Sequence, residues 1–321
     1  MTAPKKVGLQ TVAFSNPPVV LATATIVGAR EGEGPLAGTF DKVVEAPYYG
    51  EESWERAERR MLQEVMEKAL SRASIKPQDV DYLLAGDLLN QIISANFAAR
   101  ALAIPYIGLY GACATIYEGL VLGAMLIDGG FARHVLIGSS SHYLTTERQH
   151  RYPTEQGAQR PPTAQWTVTG AGAILLAPSG AGPRVTHATV GRVIDLGSTD
   201  PYNMGAAMAP AAANTIISHL SDTQRRVDEY DLILTGDLGV YGTKLLMKLM
   251  AEYGHAISAK HNDCGLLIFD REKQDVHAGG SGCACAAVVT CGYLAQQLKQ
   301  GKLKRVLGVG TGALLSPLTT Q

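Results

Sequence analysis

The sequence predicts an α/β protein made of two related halves, each a mainly parallel sheet covered by helices. Three observations carry that expectation. Short apolar runs alternate with helix-period stretches along most of the chain. One block recurs at a fixed distance. Glycine is abundant, 35 of 321 residues, while charged residues make up only 18%, below the ~25% of ordinary soluble domains. Hydrophobic residues, at 46%, supply a sizeable core. The pairing of low hydrophobicity with high net charge that marks disorder does not occur.

The recurrence is specific. Asp81-Tyr-Leu-Leu-Ala-Gly-Asp-Leu88 matches Asp231-Leu-Ile-Leu-Thr-Gly-Asp-Leu238 at five of eight positions, 150 residues apart. Arg133-His-Val-Leu136 is echoed by Lys304-Arg-Val-Leu307. A glycine-rich entry and an apolar helical stretch precede each second block. The order strand, glycine-rich turn, helix, strand therefore occurs twice. The halves are placed at 1–185 and 186–321, with two sheets packed about a pseudo-twofold.

Each element has a local reason. Ser53 caps a helix over 54–72, in which Trp54, Ala57, Met61, Val65 and Ala69 recur at helical steps. Lys76-Pro77 ends that region, because the residue before proline avoids the helical conformation. Asp81–Gly86 is a short apolar run, as a buried parallel strand requires. Residues 93–103 read as helix and 104–110 as strand. Cys113 opens a helix to Asp128, and Gly129-Gly130 stop it. Val135–Gly138 is the next strand. Residues 140–166 are polar and form a long excursion, functional or a dimer arm, before a strand returns at 167–177. In the second half, 286–299 is helical.

Charge and cysteine usage exclude several classes. Twenty-eight basic and 29 acidic residues leave a net charge of −1, which is no nucleic-acid footprint. Only Lys299–Arg305 forms a local basic run. No apolar stretch reaches the ~18 residues of a membrane span, and Met1-Thr-Ala-Pro-Lys-Lys-Val7 has no signal-peptide core. A protein of cytosolic type, docked on a membrane only through partners, is expected. The five cysteines are Cys113, Cys264, Cys283, Cys285 and Cys291. An odd count without a secretion signal predicts no disulfide framework. Their spacing fits no zinc site, and no EF-hand or Walker-type phosphate loop is visible. Neither metal nor cofactor is expected.

The blocks Gly111-Ala-Cys113-Ala, Thr169-Gly-Ala-Gly-Ala173, Gly279-Gly-Ser-Gly-Cys283 and Gly308–Leu315 resemble the thiolase superfamily, which includes the ketoacyl synthases. That resemblance implies a duplicated α-β-α-β-α five-layer sandwich. It also implies a cysteine at the start of a buried helix. A narrower resemblance rests on Leu84-Ala-Gly-Asp-Leu-Leu-Asn-Gln91, Arg151-Tyr-Pro-Thr-Glu155, Met208-Ala-Pro-Ala-Ala-Ala213, Lys260-His-Asn-Asp-Cys-Gly265 and Ala278-Gly-Gly-Ser-Gly-Cys-Ala-Cys285. These look like the stage V sporulation protein AD family of spore-forming bacteria. The resemblance implies binding of dipicolinic acid (pyridine-2,6-dicarboxylate), free or as its calcium chelate, during its uptake into the developing spore. It further implies a peripheral place on the spore inner membrane beside membrane proteins of the same operon, and a homodimer.

The candidate site follows from that reading. Condensing enzymes pair the cysteine thiolate with two polar partners, commonly His and Asn. Cys113 stands at a helix N-terminus, where the dipole favours a thiolate. The partner positions read Gly236 and Gly280, so no condensing enzyme is expected. The two glycines are expected to leave a cavity for a compact planar anion, with Asp237 and Ser281 beside them. Gly236-Asp237 lies at a strand C-terminus, the usual place for ligands in open α/β sheets. His142, Arg148, Arg151 and Tyr152 on the polar excursion supply carboxylate partners and an aromatic wall. Arg148 and Arg151 could equally pair with Glu147 and Glu155 on a solvated arm. His261 and Asn262 could line the rim or belong to an ordinary loop. Asp87 is expected to cap the next helix. Two rival functions remain at this stage: an acyl-CoA or acyl-carrier-dependent acyltransferase using Cys113, and a scaffold for membrane channel subunits.

Overall fold

The computed structural model describes residues 5–150 and 160–313. The strands of the first half are β1 (Thr11–Ala13), β2 (Val19–Gly28), β3 (Val43–Val44), β4 (Tyr82–Gly86), β5 (Tyr106–Gly108), β6 (Val135–Ser141), β7 (Trp166–Thr167) and β8 (Gly170–Ala177). Those of the second are β9 (His187–Thr189), β10 (Leu232–Thr235), β11 (His261–Asp263), β12 (Gly280–Ser281) and β13 (Val306–Val309). The helices begin with α1 (Ala29–Gly32), α2 (Trp54–Ala73), α3 (Ile93–Leu102), α4 (Thr115–Asp128) and α5 (Tyr143–His150). They continue with α6 (Met204–Thr223), α7 (Gly239–Glu252), α8 (Cys264–Leu267), α9 (Cys283–Val289) and α10 (Ala295–Lys299).

Sheet 1 has the order β3-β2-β8-β6-β4-β5 and sheet 2 the order β11-β10-β13. β4 pairs in parallel with β5 and β6, and β8 runs antiparallel between β6 and β2. β10 pairs in parallel with β11 and β13. The recurring octapeptides therefore occupy equivalent central strands, β4 and β10.

Five layers follow from where the apolar side chains point. Met61, Leu62, Val65 and Met66 of α2, with Ala95 and Ala98 of α3, cover one face of sheet 1 at Ala24, Leu136 and Ala173. The other face, at Ile137 and Ile174, meets Ile116 of α4 and Ala286 and Ala287 of α9. α9 is buried on every side, and its Ala284, Cys285 and Val288 also pack on Leu234 of sheet 2. α6 and α7 close the outside through Met208, Ile216 and Leu246 against Ile233 and Val309. A helix that is apolar all round belongs in such a middle layer. α9 approaches β8 so closely that a Cβ on Gly172 would lie 2.8 Å from the Ala287 carbonyl.

The expected elements form, with two corrections. Ser53 does cap α2, accepting from the Arg56 N–H at 3.3 Å, and Asp87 caps α3 by accepting from Ala95 N–H at 2.8 Å. The segment read as a strand over 104–110 is strand only at Tyr106–Gly108. The polar excursion is not all loop: β6 runs on to Ser141 and α5 forms a helix directly after it. Sheet 2 has three strands among the described residues. Arg151 and Tyr152 lie outside the described residues. Among the described residues, no helix is long and apolar enough to cross a membrane.

α6 and α7 cross at two glycines. A Cβ on Gly242 would meet the Gly205 carbonyl oxygen at 2.7 Å and its Cα at 2.8 Å. Overpacking of this kind costs ~1–3 kcal/mol, more than the ~1 kcal/mol that alanine gains over glycine in a helix. Gly242→Ala is therefore expected to lower the urea midpoint of unfolding. An unchanged or raised midpoint contradicts this account of the crossing.

Candidate functional site

The cysteine predicted as the focal residue sits at the junction of the two halves. A tight turn over Ala112–Ala114 leads into α4, with Ala112 at φ +48°. Cys113 is buried and lies within hydrogen-bonding reach of the Asp237 carboxylate and the Gly282 N–H. Asp237 is itself fully buried and held from three sides. Thr311 Oγ1 donates to Oδ1 at 2.6 Å. Ser281 Oγ and the Gly282 N–H donate to Oδ2 at 2.8 and 3.1 Å. A second buried carboxylate, Asp263, stands behind the first. It accepts from Thr235 Oγ1 at 2.7 Å and from the Leu238 and Gly239 N–H groups at 2.8 and 3.0 Å. Asp263 thus does for α7 what Asp87 does for α3.

The electrostatics of this cluster oppose thiolate formation. Burial pushes the Cys113 thiol well up, and the Asp237 charge beside it pushes in the same direction. A condensing enzyme needs the reverse, a cation or donor that favours the thiolate. Burial also raises the carboxyls, Asp263 to about 7 and Asp237 in the same direction. Cys283 adds no activating group: its Sγ donates to the Ala112 carbonyl at 2.8 Å. All five cysteines are buried and unpaired.

The expected cavity at the two glycines does not form. A Cβ on Gly280 would lie 2.7 Å from Ile268 Cγ2, with Val168 and Phe269 close behind. A Cβ on Gly236 would lie 2.7 Å from Thr311 Oγ1. Apolar core fills the first place and a carboxylate clasp the second. His261 bonds Thr235 Oγ1 through Nε2 at 2.9 Å, and burial lowers its pKa to about 4. Asn262 Oδ1 accepts from the Asp263 N–H at 2.8 Å. Both support Asp263 from β11.

His142 belongs to a different place, an open cleft of about 320 Å³ lined by Arg30, Glu31, Pro47, Tyr143 and Trp166 among others. His142 Nε2 reaches the Pro47 carbonyl at 3.0 Å while Nδ1 accepts from the Leu144 N–H at 3.2 Å. That pair of bonds sets one neutral tautomer; burial lowers the pKa, outweighing the raising effect of the Pro47 carbonyl. Tyr143 and Trp166 stack with centroids 3.6 Å apart and planes 2° from parallel. The Arg30 and Arg160 guanidinium carbons lie 3.9 and 4.8 Å from the Trp166 ring centroid. Both arginines reach Asp275: Arg30 Nη1 to its carbonyl at 2.8 Å, Arg160 Nη2 to its carboxylate at 2.8 Å. Arg160 Nη1 is buried without a hydrogen-bond partner among the described residues. Glu31 is buried in the cleft wall, accepts from the Thr169 N–H at 3.0 Å, and is raised by burial to about 7.

The cleft and the cysteine cluster share a wall. Trp166 pairs with Gly280 and Thr167 with Ser281 in a short parallel ladder. Gln165 Nε2 donates to the carbonyls of both Asp237 and Gly280 at 2.8 Å. The structure therefore brings Cys113, Gly236, Asp237, Gly280 and Ser281 together, with His261 and Asn262 one bond removed. It sets His142 across the β7–β12 ladder. Arg148 is elsewhere: it forms an ion pair with Glu55 of α2 and lies over Trp54. Sequence reasoning missed Arg30, Glu31, Arg160, Trp166 and Thr311. The charged pair Arg30-Glu31, directly after the long apolar run of β2, was a visible signal at a strand C-terminus.

Two outcomes follow from these environments. Replacing Asp237 by Asn removes a negative charge beside the thiol, so the Cys113 pKa falls. Alkylation of Cys113, followed by peptide mass at rising pH, should be roughly tenfold faster per unit of that fall; an unchanged profile contradicts the arrangement. Glu31 and Asp263 retain protons in the folded state that the unfolded chain has released. Their stabilisation is present below the ordinary carboxylate range and is lost as pH rises through about 7. Unfolding free energy should fall from pH 5 to 8, and Glu31→Gln should flatten part of that slope. A rising curve, or no effect of the substitution, counts against it.

Comparisons with known proteins agree with the fold and narrow the family. The chain is similar in structure to a variant of Xanthomonas campestris OleA bound with cerulenin, at 15% identity and a TM-score of 0.65 over 93% of each chain. It is likewise similar to OleA with bound lauric acid and lauroyl-CoA, at 16% identity and a TM-score of 0.59 over 90% of this chain and 92% of that one. A third is 3-oxoacyl-(acyl-carrier-protein) synthase III from Aquifex aeolicus VF5, at 13% identity and a TM-score of 0.57 over 92% and 96%. At such identities these matches establish the thiolase-type fold alone. In sequence, the family model for stage V sporulation protein AD (SpoVAD) matches residues 8–321. The stage V sporulation protein AD of Bacillus subtilis (strain 168) is 49% identical over 317 residues, 99% of this chain and 94% of that protein. With the thiolase-type fold established, the chain therefore belongs to the stage V sporulation protein AD family.

Proposed function

We propose that the chain binds dipicolinate, free or as its calcium chelate, and hands it on during uptake into the developing spore. The observation that carries this reading is the cleft lined by Arg30 and the Trp166–Tyr143 stack, with Arg160 reaching the same Trp166 ring from beside it. A planar aromatic dianion asks for two cationic forks and a flat apolar wall. Arg160 Nη1, buried without a partner among the described residues, offers one free donor. Burial keeps Glu31 largely protonated below about pH 7, so the cleft wall does not repel an anion there. The predicted His142 lines this same cleft. Cys113, Asp237, Gly280 and Ser281 act behind it, holding the β7–β12 wall in place.

Among the described residues no group of acidic, His and Cys side chains is arranged to hold a metal ion. In this reading calcium arrives on the ligand. Arg151 and Tyr152 remain candidates on the same excursion. The chain works as a homodimer beside the membrane proteins of its operon, peripheral to the spore inner membrane. The exposed edge of sheet 1 supports a dimer: Ile107 of β5 and Tyr110 are 44% and 71% exposed, next to Ile93 and Phe97 of α3.

Calorimetric titration with dipicolinate and its 2,4 and 3,5 isomers tests the proposal. Saturable binding that prefers the 2,6 isomer is expected, weakened about tenfold or more by Arg30→Ala, since a charge-assisted hydrogen bond contributes roughly 1.5–3 kcal/mol. Cys113→Ser should bind as the parent does. No heat at millimolar ligand would overturn the reading and leave the scaffold function.

A further inference from the structure

The one basic run of the sequence, Lys299–Arg305, has four cations and no acidic residue, and the proposed site does not use it. The fold carries it to the end of the molecule where the strands begin. Asp81 and Asp231, equivalent residues of the repeated octapeptides, stand just before β4 and β10. Each pins a basic pair by accepting its backbone N–H groups. Asp81 holds Arg133 and His134 at 2.7 and 3.0 Å, and Asp231 holds Lys304 and Arg305 at 2.7 and 2.9 Å. The duplication thus builds a cationic corner twice, once per sheet. Lys260 joins the second corner, because its carbonyl accepts from the Ile233 N–H at 2.7 Å where β11 meets β10.

The N-terminal segment ties the two corners together. Lys5 Nζ bonds the Asp128 carbonyl and carboxylate, at 2.6 and 2.8 Å, where α4 ends. A little further on, the Leu9 and Gln10 N–H groups bond Asp222, near the end of α6, at 3.1 and 2.9 Å. Lys6 and Val7 between them are exposed. Leu9 is 78% exposed, and Phe131, just past the end of α4, is 72% exposed. Large apolar side chains therefore protrude among cations. Acidic groups here are already engaged: Asp81, Asp222 and Asp231 by backbone N–H groups, Asp128 by Lys5 and Asp228 by Arg226. Lys6, Arg133, Lys302 and Lys304 are exposed and form no ion pair among the described residues.

We propose that this end of the molecule lies directly against an anionic lipid surface, with its lysines over the headgroups and Leu9 and Phe131 in the interface. The helix dipole favours cations at helix C-termini. That accounts for Lys299, the last residue of α10, but not for Lys302, Lys304 or the bare apolar side chains. Each lysine near an anionic leaflet adds attraction, and apolar side chains that dip into the interface strengthen it. A nucleic acid would use the charge but not Leu9. The inference rests on the peripheral placement proposed above, and adds a lipid contact to those with partner proteins. It also sets an orientation. β2 runs parallel to β4 and β6, since β8 lies antiparallel between β2 and β6. Arg30 follows the far end of β2, so the cleft opens away from the bilayer, toward the solution from which the ligand is taken.

Co-sedimentation of the full chain with lipid vesicles tests this. The chain should bind vesicles made of phosphatidylglycerol and phosphatidylcholine in equal parts, and bind pure phosphatidylcholine at least ~tenfold more weakly. About 0.5 M NaCl should release it. Lys302→Glu together with Lys304→Glu should weaken binding at least ~tenfold and leave dipicolinate binding unchanged. Leu9→Ser together with Phe131→Ser should weaken it several-fold at the same salt. Absence of vesicle binding overturns the inference and leaves the membrane contact to partner proteins. Equal binding to both vesicle types, or either variant pair binding as the parent does, also overturns it. So does a DNA duplex bound as tightly as the mixed vesicles, which would assign this end to a nucleic acid. Vesicle binding and dipicolinate titration are separate readouts, so failure of one is distinguishable from failure of the other.

Discussion

One buried carboxylate organises the centre of this molecule. From its turn after β10, Asp237 binds side chains or backbone of three other segments: the turn at Cys113, the Ser281–Gly282 turn before α9, and Thr311 beyond β13. A buried charge of this kind is tolerated only when its lone pairs are satisfied. Removing any donor leaves an unpaired acceptor in a low-dielectric interior. The two halves are therefore joined by a polar clasp as well as by the apolar faces of α4 and α9. The clasp also changes the chemistry. In the condensing fold a thiol at this helix start is meant to ionise. Here the nearest charged group is negative, and the thiol stays protonated.

The cysteine cluster and the cleft lie on opposite sides of one wall. The short β7–β12 ladder carries the clasp on one side and Trp166 on the other. Gln165 links the two by bonding both turn carbonyls. The aromatic and cationic groups thus stand on a wall that the clasp holds rigid. A binding site needs such support more than it needs reactivity. Capture and handover of a planar dianion fits a site with arginine forks, a flat ring and no activated nucleophile.

Much of the fold was legible in the sequence, because glycine-rich turns and apolar periods sit where geometry demands them. The octapeptide repeat identified β4 and β10, and Ser53 and Asp87 were readable as caps. Cys113, Asp237 and Ser281 were brought together correctly, since each lies at an element end that a duplicated α/β fold directs to one place. The expected cavity failed for a packing reason. A glycine leaves space only if its neighbours do not fill it, and Ile268, Val168 and Phe269 fill the place beside Gly280. No single-chain pattern announces that. Trp166, Arg30 and Arg160 escaped notice because they come from three segments far apart in sequence. The ion pair of Arg148 with Glu55 was not legible, because that partner lies on a helix 93 residues away.

In the proposed dipicolinate site Trp166 forms the wall. The chain has two tryptophans, Trp54 and Trp166, so Trp54→Phe leaves Trp166 as the sole indole reporter. Its fluorescence, excited at the red edge and followed through a dipicolinate titration, measures contact at that wall directly. The account predicts a saturable change with the 2,6-dicarboxylate and little with the 3,5 isomer, lost in Arg30→Ala. An emission that dipicolinate leaves unchanged up to millimolar concentration would contradict it.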